Sequence, residues 1–161
     1  MKLGIERLLE NPKMAATWGR CAFLGNQASV TPDFKETWVL LHDLLGKRLA
    51  AIFGPQHGFH ATVQDNMIET GHAKGPFGLP VFSLYSETRE PKDEMLKDVD
   101  TIVVDLQLTG CRVYTFKYTI AACLRAAGRL GKKVVILDRP NPLGGTQVGG
   151  RALDLAAKSF V

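Results

Sequence analysis

The chain has 161 residues, of which 45% are hydrophobic and 22% charged, with a formal net charge of +4. These values fit one globular domain with a full-sized core. The twenty lysines and arginines are interspersed with sixteen acids and form no basic run, which disfavours a nucleic-acid partner. No apolar run approaches the roughly 18 residues of a membrane span, so we expect no membrane partner.

The cysteines indicate a compartment. Cys21, Cys111 and Cys123 show neither a paired spacing nor an even count that would indicate a disulfide framework. Free thiols are typical of reducing environments. Because the first residues also lack the apolar core of a signal peptide, we expect a cytoplasmic protein.

The first half of the chain predicts two helices and two strands. Apolar residues at helical spacing indicate the helices, and short apolar runs beside glycine indicate the strands. The expected order is a helix over 3–10, a strand over 19–25, a helix over 34–45 and a strand over 48–53. Trp38 falls on the apolar face of the second helix, so we expect it in the core.

The segment at about 54–79 is rich in glycine and shows little periodicity. Loops of this length without secondary structure are uncommon in compact domains and are usually functional. The segment carries His57, His60 and His72, and a zinc site would need a third ligand and a supporting shell beyond the H-x-x-H spacing. Ordinary hydrogen-bonding histidines are the favoured interpretation, and we expect no metal.

The second half of the chain predicts three strands and one long helix. The expected elements are a strand over 79–85, one or two helical turns over 91–97, a strand over 101–105, a helix over 116–130 and a strand over 133–138. The last two strands have the β-branched, apolar composition of strands buried on both faces. Alternating strands and helices predict an α/β, three-layer Rossmann-like domain with a mostly parallel sheet flanked by helices.

Polar residues follow four of the predicted strands. Parallel strands end at one edge of a sheet, where open α/β folds bind ligands, so we expect these loops to form a site. The residues are Asn26 and Gln27, Gln56 and His57, Asp105 with Arg112 and Tyr114, and Asp138, Arg139 and Asn141. A structural role stays open, because aspartates also cap turns and Asp–Arg pairs stabilise loops. No glycine-rich nucleotide fingerprint follows the first strand, so we expect no cofactor.

Several motifs occur in the order found in one family. They are Ile52-Phe53-Gly54-Pro55-Gln56-His57-Gly58-Phe59, Leu79-Pro80-Val81-Phe82-Ser83-Leu84-Tyr85, Asp105-Leu106-Gln107 with Gly110, Arg112, Tyr114 and Thr115, and Leu137-Asp138-Arg139-Pro140-Asn141-Pro142-Leu143-Gly144-Gly145. The chain resembles the exo-β-N-acetylmuramidase family, also called DUF1343, from about Gly4 to Gly150.

The resemblance implies a domain organisation. Family members have a Rossmann-like N-terminal domain, a C-terminal domain and an active site in the cleft between them. Residues 1–150 correspond to the N-terminal domain, and residues 151–161 form a tail at the start of a C-terminal domain that is missing here. A second chain that supplies the missing domain is therefore an expected partner.

The resemblance also implies a function: a glycoside hydrolase-like protein that releases N-acetylmuramic acid from the non-reducing end of peptidoglycan fragments during cell-wall recycling. Its substrate would be an amino-sugar or peptidoglycan fragment. Such hydrolysis usually requires two carboxyl groups roughly 5–9.5 Å apart. The family often has G-P-E-H-G and D-x-Q-D-x-G where this chain has Gln56 and Leu108.

These two departures affect the expected chemistry, because glutamine cannot donate a proton as an acid. We take Glu69 as the substitute acid and Asp105 as an electrostatic or base group, with Gln56 and His57 beside them. The ligand-binding residues that the resemblance implies are Asn26, Gln27, Arg112, Tyr114, Asp138, Arg139 and Asn141.

Two alternatives stay open. A non-catalytic sugar-binding or degenerate α/β domain is favoured by Gln56, by Leu108 and by the missing half of the family's length. A flavodoxin-like regulatory domain would use Asp105 and Asp138 for a metal or phosphate. It would bind Mg²⁺ and show no affinity for sugars.

Overall fold

The computed structural model describes residues 1–62 and 71–157, and its centre is a six-stranded sheet. The strands are β1 (Cys21–Gly25), β2 (Leu49–Gly54), β3 (Ala73–Lys74), β4 (Pro80–Ser83), β5 (Thr101–Asp105) and β6 (Lys133–Ile136). Their order across the sheet is β3-β4-β2-β1-β5-β6, and β3 alone runs antiparallel to its neighbour. The predicted mostly parallel sheet is confirmed.

Helices cover both faces of the sheet. They are α1 (Gly4–Glu10), α2 (Thr37–Leu45) and α3 (Phe116–Arg129). Successive strand residues point to opposite faces, so Phe23 packs in the core with α1 and α2, whereas Leu24 packs in the core with α3. Trp38 is buried in the first of these cores, as predicted. The three-layer α/β prediction is therefore confirmed.

The strand order creates a switch point at the middle of the sheet. The chain moves outward from β1 through β2 to β4, then crosses back to place β5 on the other side of β1. In this register Gly25 lies opposite Asp105, at the carboxyl ends of β1 and β5. Ligands of open α/β sheets bind outside the strand ends at such a switch point, and this position locates the candidate site.

Helix α2 begins three residues later than the sequence predicts. Phe34 adopts a left-handed backbone with φ of 59°, which a helix cannot include. The hydroxyl of Thr31 accepts a hydrogen bond from the Lys35 backbone N–H at 3.1 Å. The turn that Thr31 closes therefore delays the helix to Thr37.

Two other predictions were wrong. The 54–79 segment is not without secondary structure, because residues 71–79 contain β3 and a 3₁₀ turn at Pro76–Gly78. Strand β6 is not buried. In the described part of the chain it pairs with β5 alone and therefore forms an edge of the sheet. Lys133 and Ile136 are exposed there. Local composition cannot distinguish an edge strand from a central one, since the difference is the absence of a neighbour.

Two of the three thiols lie in the core. Burial raises the pKa of Cys21 to about 11 and the pKa of Cys123 to about 12, so both remain protonated and unreactive near neutral pH. Cys111 is exposed on the loop after β5. In the described ranges, no helix is long and apolar enough to cross a bilayer.

The N-terminus of α1 packs directly on the end of β6. The Gly4 backbone N–H donates to the Asp138 carbonyl at 2.8 Å, and a Cβ at position 4 would lie 2.4 Å from the Asp138 nitrogen. We expect Gly4→Ala to reduce the free energy of unfolding by about 1–3 kcal/mol, because α1 must move away from the strand. Urea denaturation measures this change.

Gly128 provides the matched control for this substitution. It lies in α3, and a Cβ there would meet nothing within 4 Å. Gly128→Ala should raise the free energy of unfolding by about 0.5–1 kcal/mol through helix propensity. Equal effects of the two substitutions would contradict the close packing of α1 on β6.

Candidate functional site

A buried ion pair lies at the switch point. The Arg139 guanidinium donates from Nε to Asp105 Oδ1 at 2.5 Å and from Nη2 to Asp105 Oδ2 at 2.9 Å. The two side chains are 6% and 1% exposed. Arg139 Nη2 also donates to the Val30 carbonyl at 2.8 Å, and the Ser29 hydroxyl donates to the Asp105 carbonyl. One arginine, in the loop after β6, thus joins the loop after β1 to the carboxyl end of β5.

This geometry favours a positioning role for Asp105 over the predicted role of electrostatic or base group. Both carboxylate oxygens are engaged by a bidentate arginine, and a side chain that is 1% exposed offers no surface to a substrate. Arg139, predicted as a ligand contact, likewise has at least two of its nitrogens committed to protein groups. The same pairing weakens the regulatory alternative, because the carboxylate it would use for a metal is already neutralised.

The loop after β1 is shaped by Asn26. Its side-chain oxygen accepts from the Ala28 backbone N–H at 3.0 Å, and its own backbone N–H donates to the Ser29 hydroxyl at 3.0 Å. Asn26 is only 6% exposed, whereas the neighbouring Gln27 is exposed. Asn26 therefore forms the turn, and Gln27 is the residue of this predicted pair that solvent or a ligand can reach.

The loop after β2 contacts the start of α3. The Thr115 hydroxyl donates to Gln56 Oε1 at 2.8 Å, and Gln56 is 7% exposed. His57 follows in a left-handed conformation with φ of 72° and is partly exposed. Residue 56 is thus held between two elements, in a position where a carboxylate would be largely desolvated.

A cleft of about 440 Å³ opens between the loops that follow β5 and β6. Its lining residues include Leu108, Tyr114, Lys117, Asp138, Arg139 and Asn141. Gly110 allows the two loops to meet, because a Cβ there would lie 2.7 Å from Asn141 Oδ1, and its φ of +72° is left-handed. Asn141 Oδ1 accepts a hydrogen bond from the Leu143 backbone N–H at 3.0 Å, which restricts the orientation of the amide.

Asp138 and Tyr114 remain accessible in this cleft. Asp138 is exposed and forms no salt bridge among the described residues. Tyr114 is 38% exposed, and its ring packs edge-to-face on Phe116 with centroids 4.9 Å apart. Arg112 points elsewhere: its Nη1 donates to the Arg151 carbonyl at 3.3 Å. The structure therefore brings together Asp138, Tyr114 and Asn141, with Arg112 outside the cleft lining.

The family model described as "Exo-beta-N-acetylmuramidase NamZ, N-terminal" matches residues 21–161 of this chain. The chain belongs to the NamZ family. Peptidoglycan beta-N-acetylmuramidase NamZ of Bacillus subtilis (strain 168) is 36% identical over 161 residues, which are 100% of this chain and 39% of that protein. The resemblance stated from the motifs is therefore confirmed.

Solved structures of the NamZ family agree with the fold. One DUF1343 family protein from Bacteroides fragilis NCTC 9343 superposes with a TM-score of 0.85 at 36% identity, and a second with a TM-score of 0.75 at 29% identity. Each match covers 99% of this chain and 40% of the solved one. The chain thus spans about two fifths of the length of the NamZ relatives it matches, over their shared Rossmann-like part.

Sequence reasoning missed a polar cluster after β4. Glu87 accepts from Lys92 Nζ at 2.9 Å and from the Ser86 hydroxyl, and it contacts His72 Nε2 at 3.2 Å. These donors, led by the Ser86 hydroxyl, hold the pKa of Glu87 well below its usual range. His72 Nδ1 accepts from the Ser83 backbone N–H at 3.0 Å, so its proton lies on Nε2. The sequence signal that could have indicated this cluster is the pair Ser86-Glu87 directly after a predicted strand.

Glu69 lies outside the described residues, and its assignment as the acid stays a prediction. The domain boundary at residue 150 also stays a prediction, although residues 141–157 are exposed throughout. Across 1–62 and 71–157, no three His, Cys, Asp or Glu side chains gather in a metal-ligating group.

Proposed function

We propose that this chain provides the sugar-binding wall of an exo-β-N-acetylmuramidase, which removes terminal N-acetylmuramic acid from peptidoglycan fragments. The observation that carries the proposal is the cleft between the β5 and β6 loops in a domain of the NamZ family. Its volume of about 440 Å³ lies in the roughly 300–1,000 Å³ range of small-molecule sites. A monosaccharide unit fits a site of this size.

The cleft residues match the chemistry of a sugar. The Tyr114 ring offers an apolar face against which a pyranose can pack, while Asn141 and Asp138 offer amide and carboxylate groups for its hydroxyls. Asp105 and Arg139 act behind them by holding the loops in register. The remaining wall of the cleft would come from another polypeptide segment, in the same chain or in a second one.

Binding without turnover is the second candidate function, and a specific observation favours it. Glycoside hydrolysis usually needs a pair of carboxyl groups, and in the described part of the chain Asp138 is the carboxylate that lines the cleft. Gln56 carries an amide where the family often has an acid. Hydrolysis by this chain therefore depends on Glu69 or on a carboxylate from the other wall.

Titration of N-acetylmuramic acid into the full chain tests the proposal. We expect saturable binding by calorimetry, with NMR shifts centred on residues 108–117 and 138–141. Tyr114→Ala should weaken binding about threefold to tenfold through loss of ring packing. Release of N-acetylmuramic acid from its β-1,4 disaccharide with N-acetylglucosamine separates turnover from binding.

Phe77→Ala is the control for Tyr114→Ala. Phe77 is 66% exposed and precedes β4, so it lies at the amino ends of the parallel strands, whereas the cleft lies at their carboxyl ends. Its removal should leave sugar affinity unchanged. If N-acetylmuramic acid does not bind at all, or binds equally well to the Tyr114→Ala variant, this cleft is not the sugar site.

A further inference from the structure

The cleft between the β5 and β6 loops contains a cation that the motif analysis did not single out. Lys117 lies in the first turn of α3 and lines the cleft with Tyr114 and Asn141. Its side chain is partly exposed, and its Nζ lies 5.0 Å from the ring centroid of Tyr118. Among residues 1–62 and 71–157, Lys117 has no carboxylate within salt-bridge distance.

The neighbouring arginines are committed elsewhere. Arg139 neutralises Asp105 and binds the Val30 carbonyl, with its side chain 6% exposed. Arg112 contacts the Arg151 carbonyl and does not line the cleft. Of the cations in the described part of this cleft, Lys117 is therefore the one whose charge remains available to a ligand.

Asp138 lines the same cleft with the opposite charge. The two side chains are farther apart than a salt bridge, so each can meet a different part of a ligand. A carboxylate accepts hydrogen bonds from hydroxyl groups and repels another carboxylate, whereas an ammonium attracts it. The charges of the cleft thus fit a ligand with hydroxyl groups at one end and an acid at the other.

We propose that Lys117 is a specificity-determining residue that selects amino sugars carrying a carboxylate over otherwise identical neutral ones. This inference rests on the proposed function, since it assumes that the cleft holds the sugar. Lys117 meets the acid group while Asp138 faces the hydroxyls. The preference comes from the charge of residue 117, so arginine can replace lysine and glutamine cannot.

A matched pair of ligands isolates the charge. N-acetylmuramic acid and its methyl ester differ by one negative charge and a methyl group, and calorimetry on the full chain gives their affinities. Wild type should prefer the acid by about fivefold, the range of a partly exposed ion pair. Lys117→Gln should abolish that preference by weakening the acid alone, and Lys117→Arg should retain it.

Lys97→Gln is the control for a change of net charge. Lys97 is exposed and precedes β5, so it lies at the amino ends of the parallel strands, whereas the cleft lies at their carboxyl ends. This variant should keep the wild-type preference. Addition of salt should reduce the preference of wild type and leave the affinity of the ester unchanged.

The outcomes separate the two proposals. Two results for Lys117→Gln would overturn the role of Lys117 without affecting the proposed sugar site. One is an equal loss of affinity for the acid and for the ester. The other is an unchanged preference for the acid over the ester. Absence of binding of both ligands to wild type overturns the sugar site, and the role of Lys117 with it. Loss of the preference for the acid in Lys117→Gln, with the affinity for the ester unchanged, supports both proposals.

Discussion

Arg139→Met should lower the free energy of unfolding by about 3–5 kcal/mol, because it leaves the Asp105 carboxylate buried without its partner. Asp105 is 1% exposed and receives two hydrogen bonds from Arg139. Urea denaturation followed by far-UV circular dichroism measures the loss. The same substitution removes the hydrogen bond to the Val30 carbonyl, so the loop after β1 loses its connection to the β6 loop.

Arg129→Met is the control, because Arg129 bonds Glu90 and Asp93 on the surface of the protein. Its side chain is 48% exposed, and loss of such pairs should cost no more than about 1 kcal/mol. Equal losses for the Arg139 and Arg129 variants would show that the Asp105–Arg139 pair contributes no more than a surface bridge.

The double variant Arg139→Met, Asp105→Leu separates stability from positioning. Removing both charges eliminates the buried unpaired carboxylate, so most of the lost stability should return. Affinity for N-acetylmuramic acid should be lower than that of wild type in both the single and the double variant, because methionine cannot hold the Val30 carbonyl. A double variant that regains full affinity along with stability would contradict the positioning role.

Gln56→Glu should raise hydrolysis of an N-acetylmuramyl disaccharide by about 10²–10⁴-fold, the usual contribution of a general acid. Residue 56 is 7% exposed, so burial would favour the protonated, neutral form of an acid there. The gain should be much smaller for a 4-nitrophenyl glycoside, because that leaving group departs without protonation. Comparison of turnover for the two substrates measures the effect.

Gln147→Glu is the matched control, because it makes the same amide-to-carboxyl change at an exposed position outside the cleft lining. It should leave turnover of both substrates unchanged. If the Gln56→Glu variant binds N-acetylmuramic acid like its parent and hydrolyses the disaccharide no faster, residue 56 is not the missing acid. The assignment of Glu69 would then gain weight.

Local patterns were sufficient to predict the architecture. The apolar run before Asp105 and the amphipathic spacing around Trp38 depend on neighbours within a few residues, so a single sequence contains them. Alternation of strands and helices then implies parallel strands and a shared edge. The same short-range signals identified Asn26, Gln56, Asp105 and Asp138 as post-strand residues, and the motifs identified the family.

Only the tertiary structure decided which of these residues a ligand can reach. Asp105 and Arg139 are 34 positions apart, and their contact depends on β5 and β6 being neighbours in register. That pairing buries Asp105, while Asp138 stays exposed and Lys117 reaches the cleft from the first turn of α3. Burial and charge pairing depend on residues distant in sequence, which no local pattern contains. The sequence alone determined the edge at which the candidate site lies, and the packing of distant segments decided which side chains form the surface of that candidate site.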